Sequence, residues 1–307
     1  AETPTGLVAA WFGGQHEKNP DVGIWVAKQT AGQWTKPVEV ANGVQSATQR
    51  HPCWNPVLFQ PRTGPLLLFY KVGPSPSTWW GMLTTSNDHG QHWSTPRKLG
   101  VDPRLGKANP NLLGPVKNKP VQFADGTILC PSSSEHQGWR VHFELTRDGG
   151  QTWSVIGPIN DGSTFGAIQP SILQHDKRKL QILCRTRQGV IGTSWSTDRG
   201  FTWSSISDSG LPNPNAGTDA VTLRDGRHLL VYNHTTRKAG FPSGRNMLNV
   251  AIARGPGAWK PVLTLERDKG EFSYPAVIQT SDGQVHATYT YLRRSIKHVV
   301  LDPAALK

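Results

Sequence analysis

Short runs of β-branched, aromatic and leucine residues recur along the chain, and each follows a turn that often ends in glycine. Six of these runs can be distinguished, over residues 6–12, 64–71, 126–131, 179–187, 226–233 and 283–291. Each has the length of a strand, and no stretch places apolar residues at the 3.6-residue spacing of an amphipathic helix. The pattern therefore predicts strands joined by turns.

A further short strand is predicted immediately before five of these turns. The five segments are 55–59, 119–123, 169–173, 219–223 and 274–278. The run over 6–12 is preceded by only five residues, so the first unit is expected to lack the innermost strand that the other units possess.

Tryptophan supplies a second repeat in step with the first. Five of the 12 tryptophans recur at intervals of 50 to 60 residues, at Trp34, Trp93, Trp153, Trp203 and Trp259. Three of them end the same eight-residue pattern, over 86–93, 146–153 and 196–203, with an Asp in third place and a Gly in fifth place. The Asp can bind amides of its own turn, and the Gly can take a positive φ. Two further copies, 28–34 and 253–259, keep the tryptophan without the Asp.

The two repeats together predict an all-β fold. Each unit contains a strand, a turn, a strand, a loop, a strand, a Trp-ended turn and a strand, and six four-stranded units are typical of a six-bladed β-propeller. We expect one propeller domain over 1–307. A two-sheet β-sandwich lectin is the alternative, but a sandwich does not need the same turn in every 50 to 60 residues.

The charge and cysteine content of the chain limit the classes of partner that it is expected to bind. The chain has 33 Lys and Arg residues against 21 Asp and Glu residues, a net charge of +12, which favours an anionic partner. The basic residues are scattered without a nucleic-acid motif, so we expect an acidic sugar and no nucleic acid. No apolar run is long enough to span a membrane. The three cysteines and the histidines have no metal-ligand spacing, so no metal or cofactor is predicted.

The starts of the innermost strands are the expected site, because those ends of the strands of a propeller converge on one face. The residues there are mostly polar or aromatic, as a sugar site requires. They are His51, Trp54, Asn55, Lys117, Asn118, Lys119, Ile168, Gln169, Thr218, Asp219, Ser273 and Tyr274. Trp79, Trp80 and Trp139 are further candidates for stacking on a sugar ring.

The three Asp-containing turns and the count of six units resemble the sialidase (neuraminidase) superfamily of BNR, or Asp-box, repeat proteins. The resemblance extends to the last third of the chain, to Leu211-Pro212-Asn213-Pro214, Arg245 and Phe272-Ser273-Tyr274. It implies a β-propeller that hydrolyses a terminal acidic sugar. It also implies a carboxylate site in which Arg185 and Arg245 are the second and third arginines, and Tyr274 as the nucleophile.

The chain departs from the family pattern in its acid and base residues. The family has a Glu that activates the nucleophilic Tyr, whereas this chain has Gln169, and an amide is not a general base. Asp219, Glu271 and Glu135 are the carboxylates that could replace it. We predict that Glu17 is the proton donor, with His16 and Asp21 as its alternatives. The family's first arginine would lie upstream of Ala1.

Three functions follow from these expectations. The first is a sialidase-like exo-glycosidase. The second is a lyase for uronate-containing polysaccharides, for which His51, Asn118 and Lys119 would suit proton abstraction and charge neutralisation. The third is a propeller that binds glycans without turnover. For each we expect a monomer that is secreted, periplasmic or extracellular.

Overall fold

The structure is a computed structural model that describes residues 1–100, 113–236, 244–257 and 259–307. The described residues form antiparallel β-strands and one short 3-10 turn at Pro303–Ala305, without an α-helix. The strands make six small sheets, and the fold is an all-β, six-bladed β-propeller, which confirms the predicted fold class. The chain divides into two compact units: unit 1 comprises 1–137 and 142–156, and unit 2 comprises 138–141 and 157–307.

Unit 1 contains the first three sheets, in which strands adjacent in sequence are neighbours in the sheet. Strand β5 also pairs with β3, and β12 begins with two residues of unit 2. The strands are β1 (Glu2–Thr3), β2 (Gly6–Gly13), β3 (Gly23–Thr30), β4 (Gln33–Trp34), β5 (Val38–Ala41), β6 (Cys53–Phe59), β7 (Leu66–Val72), β8 (Trp80–Ser86), β9 (Arg97–Lys98), β10 (Val121–Gln122), β11 (Ile128–Ser134), β12 (Arg140–Thr146) and β13 (Ser154–Ile156).

Unit 2 contains the other three sheets, again in chain order. The strands are β14 (Ala167–Gln174), β15 (Leu180–Thr186), β16 (Val190–Ser196), β17 (Ser207–Pro212), β18 (Asp219–Thr222), β19 (Arg227–Tyr232), β20 (Met247–Arg254), β21 (Trp259–Arg267), β22 (Phe272–Gln279), β23 (Val285–Tyr291) and β24 (Ser295–Leu301). Residue 258, within the predicted Trp-ended copy over 253–259, lies outside the described residues.

Two sheets differ from the expected number of strands. In the first sheet the innermost position is taken only by β1, two residues that pair with the start of β2. The first blade, which was expected to lack its innermost strand, therefore has a short one at that position. The last sheet has three described strands, β22 to β24, where four were expected.

Strand β7 shows why its sequence is a continuous apolar run. Leu66, Leu68 and Tyr70 pack in one buried cluster with residues of β2 and β3, while Leu67 and Phe69 pack in another with Val155 of β13 and its neighbours. Alternate residues of a strand point to opposite faces. Both faces of this sheet are therefore covered by the sheets on either side of it, and every position along β7 is buried.

The Asp-containing turns are closed by the hydrogen bonds that the sequence predicts. In the turn over 146–153, Asp148 Oδ1 accepts from the amides of Gln151 and Thr152, both at 2.9 Å. The Gly150 amide, at a φ of 86°, donates to Thr146 Oγ1 at 2.8 Å. The Trp153 indole N–H donates to the Gly150 carbonyl at 3.1 Å, which fixes the ring beneath the turn. Asp88 and Asp198 accept from amides of their own turns in the same way.

Candidate functional site

Three inner strands carry a bulge at a residue that precedes proline. Asn55, Gln169 and Tyr274 have φ angles of 44°, 57° and 53°, and the pairing register shifts at each of them in β6, β14 and β22. Positive φ is uncommon for residues other than glycine, and proline restricts the preceding residue further. A bulge re-aims its side chain. Backbone strain of this kind is concentrated at functional sites, so the three positions are candidates for function on structural grounds as well.

Arg185 and Tyr274 are in direct contact within unit 2. Arg185 lies near the end of β15, and its Nη1 donates to the Tyr274 hydroxyl at 3.2 Å. Its guanidinium carbon is 5.6 Å from the centroid of the Tyr274 ring. Both side chains are half-buried, so a guanidinium and a phenol face a space that solvent reaches. The chain segments that carry them are 89 residues apart in sequence.

Arg245 lies against the same tyrosine. Its guanidinium carbon is 5.1 Å from the Tyr274 ring centroid, and its Nη1 donates to Glu271 Oε1 at 3.0 Å. Burial opposes the charge of Arg245, but Tyr274 and Glu271 outweigh it and raise the pKa of the guanidinium above its ordinary value. Burial would raise the pKa of Glu271, but the Ser273 hydroxyl and Arg245 lower it below its ordinary value. Both groups are therefore held in their charged forms.

Asn215 joins the two arginines. Its side-chain oxygen accepts from Arg185 Nε at 2.7 Å, and its backbone carbonyl accepts from Arg245 Nη2 at 3.0 Å. The residue has a φ of 62°, a left-handed conformation that Asn tolerates better than most residues. We define the arginine–tyrosine cluster as Arg185, Arg245, Tyr274, Asn215 and Glu271.

Gln169 contacts this cluster through Arg185, but its side chain is an amide where the family pattern has a carboxylate. It is 4% exposed, and its Oε1 accepts from Arg185 Nη1 at 3.5 Å. The residue therefore helps to orient Arg185, and its amide cannot accept the phenolic proton as a carboxylate would.

The carboxylate of Asp219, a predicted substrate ligand and alternative base, is bound within the inner strands of unit 2. The side chain is 2% exposed. Its Oδ1 accepts from the Ser171 hydroxyl at 3.0 Å and its Oδ2 from the Val277 amide at 2.8 Å. Because Ser171 and Val277 belong to two different sheets, Asp219 ties the inner strands of unit 2 together. The role of Asp219 as a substrate ligand or base stays a prediction.

The remaining predicted residues lie in unit 1. Glu17 is exposed in the turn between β2 and β3, together with His16. The third candidate acid of that turn, Asp21, accepts from the Gln15 amide. His51 packs edge-on against Trp80, with 5.7 Å between ring centroids. Their chemical roles stay predictions.

Asn118 is 1% exposed, and its Oδ1 accepts from Lys117 Nζ at 2.9 Å. This contact orients the Asn118 amide, and its predicted role in sugar binding stays a prediction. Lys119 and Glu135 are half-buried and stay predicted ligands.

Two predicted stacking tryptophans have other roles. Trp79 is 2% exposed and packs edge-on against Trp54, so it belongs to the core of unit 1. Trp139 is 7% exposed, and its ring faces the guanidinium groups of Arg185 and Arg187, at 4.9 Å and 4.6 Å from the centroid. Neither ring is open for a sugar to stack on it.

Sequence reasoning did not identify Asn215, Arg187 or Arg293 as site residues. Arg293 lies in the turn between β23 and β24, and its Nη1 is 3.6 Å from Glu271 Oε2. Its side chain is 52% exposed, and its φ is 56°. Two of these residues could have been found from their closeness in sequence to predicted site residues. Asn215 directly follows the Leu211–Pro214 segment, and Arg187 lies two residues after Arg185.

A second polar cluster lies in unit 1 and is fully buried. Lys71 Nζ donates to the Leu113 carbonyl at 2.6 Å, and Glu144 accepts from the Gly114 amide at 2.5 Å. His142 Nε2 is 3.0 Å from Glu144 Oε1. Burial lowers the pKa of Lys71 to about 8, against the opposing effect of Glu144. We call Lys71, Glu144 and His142, with the backbone of Leu113 and Gly114, the buried lysine cluster.

Within the described part of the chain, no group of three or more His, Cys, Asp or Glu side chains is arranged to hold a metal ion. The described residues also include no helix with the length and apolar character needed to cross a membrane.

A family model described as a BNR repeat-like domain matches residues 5–287. Among curated protein sequences, none matches this chain. A protein of unknown function from Dyadobacter fermentans has a similar structure, with a TM-score of 0.77 at 18% identity over 98% of this chain and 92% of that one.

Two similar structures have names that include an activity. The NanB sialidase of Streptococcus pneumoniae has a TM-score of 0.78 at 12% identity, over 100% of this chain and 68% of that one. The intramolecular trans-sialidase of Ruminococcus gnavus, in complex with oseltamivir carboxylate, has a TM-score of 0.75 at 15% identity, over 98% and 92%. At these identities the likeness supports the propeller fold.

Proposed function

We propose, since this chain belongs to the family of BNR repeat-like domains, that it is a sialidase-like exo-glycosidase, which hydrolyses a terminal acidic sugar such as sialic acid from a glycan. The names of two similar structures include sialidase activity. The net charge of +12 is compatible with an acidic substrate.

The observation that carries the proposal is the convergence of Arg185 and Arg245 on one phenol. Both guanidinium groups lie within 6 Å of the Tyr274 ring centroid. Guanidinium forks bind a planar carboxylate through paired hydrogen bonds. A sugar carboxylate held by these groups would set the adjacent anomeric carbon close to the Tyr274 oxygen.

In the proposed reaction the Tyr274 oxygen forms a bond to the anomeric carbon while the bond to the leaving oxygen breaks. The leaving oxygen takes a proton, for which Glu17 stays the predicted donor, and water then releases the sugar from the tyrosine. The phenol must first lose its proton. Because Gln169 replaces the expected base and Glu271 is bound to Arg245, we propose that solvent accepts this proton while Arg185 stabilises the developing negative charge.

Glycan binding without turnover is the second candidate function, because Gln169 contributes an amide where catalysis would use a carboxylate. The same arginine–tyrosine cluster would hold the acidic sugar in that case. A lyase for uronate-containing polysaccharides is the third candidate function. The monomeric state, the location outside the cytoplasm and the absence of nucleic-acid binding also stay predictions.

The test is to incubate the protein with sialylated and uronate-rich glycans and to identify released sugars by mass spectrometry. We expect a free acidic monosaccharide. Tyr274→Phe should lower turnover by about a thousandfold or more, because the nucleophilic oxygen is removed. Tyr291→Phe is the matched control, since Tyr291 packs by its ring against Phe272 and Lys297, and it should retain normal turnover.

Each other result has a distinct meaning. Unchanged turnover in Tyr274→Phe would refute the role of Tyr274. An unsaturated uronate product would identify a lyase. Retention of acidic glycans without any released product would identify a binding propeller.

A further inference from the structure

The indole ring of Trp139, in unit 2, contacts the guanidinium groups of two arginines that lie two residues apart in sequence. The guanidinium carbons of Arg185 and Arg187 lie 4.9 Å and 4.6 Å from the centre of its ring. Arg185 also donates to Tyr274, whereas Arg187 is exposed to solvent just past the end of β15. A continuous path therefore runs from the Tyr274 hydroxyl through Arg185 and Trp139 to an outer cation.

The position of this outer cation is fixed by the chain around it. The Trp139 carbonyl accepts from the Ala167 amide at 3.2 Å and from Asn160 Nδ2 at 2.8 Å. The Arg187 amide donates to the Gly166 carbonyl at 2.9 Å. A Cβ at Gly166 would lie only 3.2 Å from Arg187 Cδ, so the glycine leaves room for the arginine stem. The guanidinium is thus held in place before any ligand arrives.

The guanidinium groups of Arg185 and Arg187 are like charges that lie close together. Each guanidinium carbon is within 5 Å of the same ring centroid, so the separation of the two charges is no more than about one Debye length at 0.1 M salt. In the parts of the chain that the structure describes, Arg187 forms no ion pair with a carboxylate, and its side chain contacts the Trp139 ring and Gly166. An anion bound at Arg187 would relieve the repulsion from Arg185.

We propose that Arg187, supported by Trp139, is a second anion subsite, which binds the carboxylate of the sugar next to the terminal one. This inference rests on the proposed function, because it takes the terminal sugar to lie at Tyr274. The next sugar is assigned to Arg187 because this arginine and Arg185, which would hold the terminal carboxylate, contact the same Trp139 ring. The substrate class is therefore a glycan with acidic groups on two successive sugars.

The test compares ligands that share a terminal acidic sugar and differ in the next one. Two pairs are used: α2,8-linked di-N-acetylneuraminic acid with 3′-sialyllactose, and digalacturonic acid with its derivative methyl-esterified on the second sugar. Binding is measured by titration calorimetry in the full chain carrying Tyr274→Phe, so that little product forms during the titration. In one of the pairs the doubly acidic ligand should bind about five- to tenfold more tightly.

Arg187→Gln should abolish that preference and leave the affinity for the singly acidic ligand unchanged. The matched control is Arg178→Gln, an exposed arginine before the other end of β15, which should keep the preference. Raising the salt concentration should reduce the preference in the parent protein, because the contact is exposed and electrostatic.

The outcomes separate the two proposals. If acidic ligands bind but Arg187→Gln behaves like Arg178→Gln, or weakens both members of a pair equally, the second subsite is refuted and the proposed function stands. The absence of any preference in the parent protein would refute the subsite in the same way. If none of the four ligands binds, the proposed function fails and the subsite fails with it.

Discussion

The two polar clusters of this chain use the same kinds of charged side chain in opposite ways. In the buried lysine cluster of unit 1, Lys71 and Glu144 are both 0% exposed and are bonded to backbone groups of Leu113 and Gly114. In the arginine–tyrosine cluster of unit 2 the groups are half-buried, and Glu271 is shared between Arg245 and Arg293.

The difference lies in which partner each cluster requires. The first pairs one lysine with one carboxylate in a site that solvent does not reach, so it stabilises the fold and offers nothing to a ligand. The second brings several guanidinium groups around a single carboxylate and a phenol, next to solvent. A cluster with an excess of one charge gains most from an added ion of the other. Charge balance together with exposure therefore separates a structural cluster from a candidate site.

The largest effect is expected from breaking the buried cluster. Lys71→Met leaves the Glu144 carboxylate without its cation in a site that water does not reach, and this should lower the free energy of unfolding by about 3 to 5 kcal/mol. The measurement is equilibrium unfolding in urea. Lys36→Met, at an exposed lysine of the same unit, is the control and should change stability by less than about 0.5 kcal/mol.

The double variant Lys71→Met/Glu144→Leu sharpens this test, because removing both charges leaves no unpaired ion and should restore most of the lost stability. If Lys71→Met is as stable as Lys36→Met, the Glu144 carboxylate does not depend on the Lys71 cation for its stability in the folded chain.

The second prediction concerns the pH dependence of the same cluster. Burial lowers the pKa of Lys71 to about 8 in the folded chain, against 10.5 for an ordinary lysine. Between these values the unfolded chain holds a proton that the folded chain has released, so the contribution of Lys71 to stability rises with pH, by up to about 3 kcal/mol. Below pH 8 both states are protonated and the contribution is constant.

The measurement is the difference in unfolding free energy between the parent protein and Lys71→Met at pH 7, 8.5 and 10. The pH dependence contributed by other groups cancels in this difference, because the parent protein and the variant share them. A difference that does not change with pH would contradict the shifted pKa.

Much of the fold could be predicted because its signals are local. The Asp148 turn closes with the hydrogen bonds expected from its own eight residues, and the apolar run of β7 follows from cover on both faces. The presence of only three strands among the described residues of the last sheet could not be predicted, because the number of strands in a sheet depends on which segments meet in space.

For the candidate site too, local sequence signals identify single residues but not the contacts between them. Arg185, Arg245 and Tyr274 could be selected because each has a defined place relative to a repeat unit. Their mutual contact is tertiary, as is the link through Asn215. The position of Asp219 at a strand start is visible in the sequence, whereas the Ser171 hydroxyl and the Val277 amide that bind its oxygens are not.

The third prediction tests the open cluster at its central cation. Arg185→Gln should weaken the binding of an acidic monosaccharide by about 30- to 100-fold, because charge-assisted hydrogen bonds to its carboxylate are lost. The probes are N-acetylneuraminic acid and glucuronic acid, followed by titration calorimetry in the full chain.

Arg178→Gln removes the same charge before the other end of β15 and is the control, which should bind like the parent protein. A loss of less than about threefold in Arg185→Gln would show that this guanidinium does not hold the carboxylate.

The smallest effect is expected at the exposed rim of the same cluster. Arg293 is fixed by its turn, since the neighbouring Leu292 amide donates to the Glu271 carbonyl at 2.8 Å. Because its side chain is 52% exposed, solvent weakens its pull on an anion. Arg293→Gln should therefore weaken the binding of the acidic monosaccharide by only about three- to tenfold, and Arg294→Gln, next in the same turn, should have no effect.

The methyl ester of the same sugar separates a direct contact from an indirect one. If Arg293 attracts the carboxylate, Arg293→Gln should leave the affinity for the ester unchanged. If Arg293 acts only by holding Glu271, and through it Arg245, acid and ester should weaken together. Equal losses for both ligands would exclude Arg293 from the anion-binding groups, and so would equal behaviour of Arg293→Gln and Arg294→Gln. In either case Arg185 and Arg245 would be the groups that attract the carboxylate.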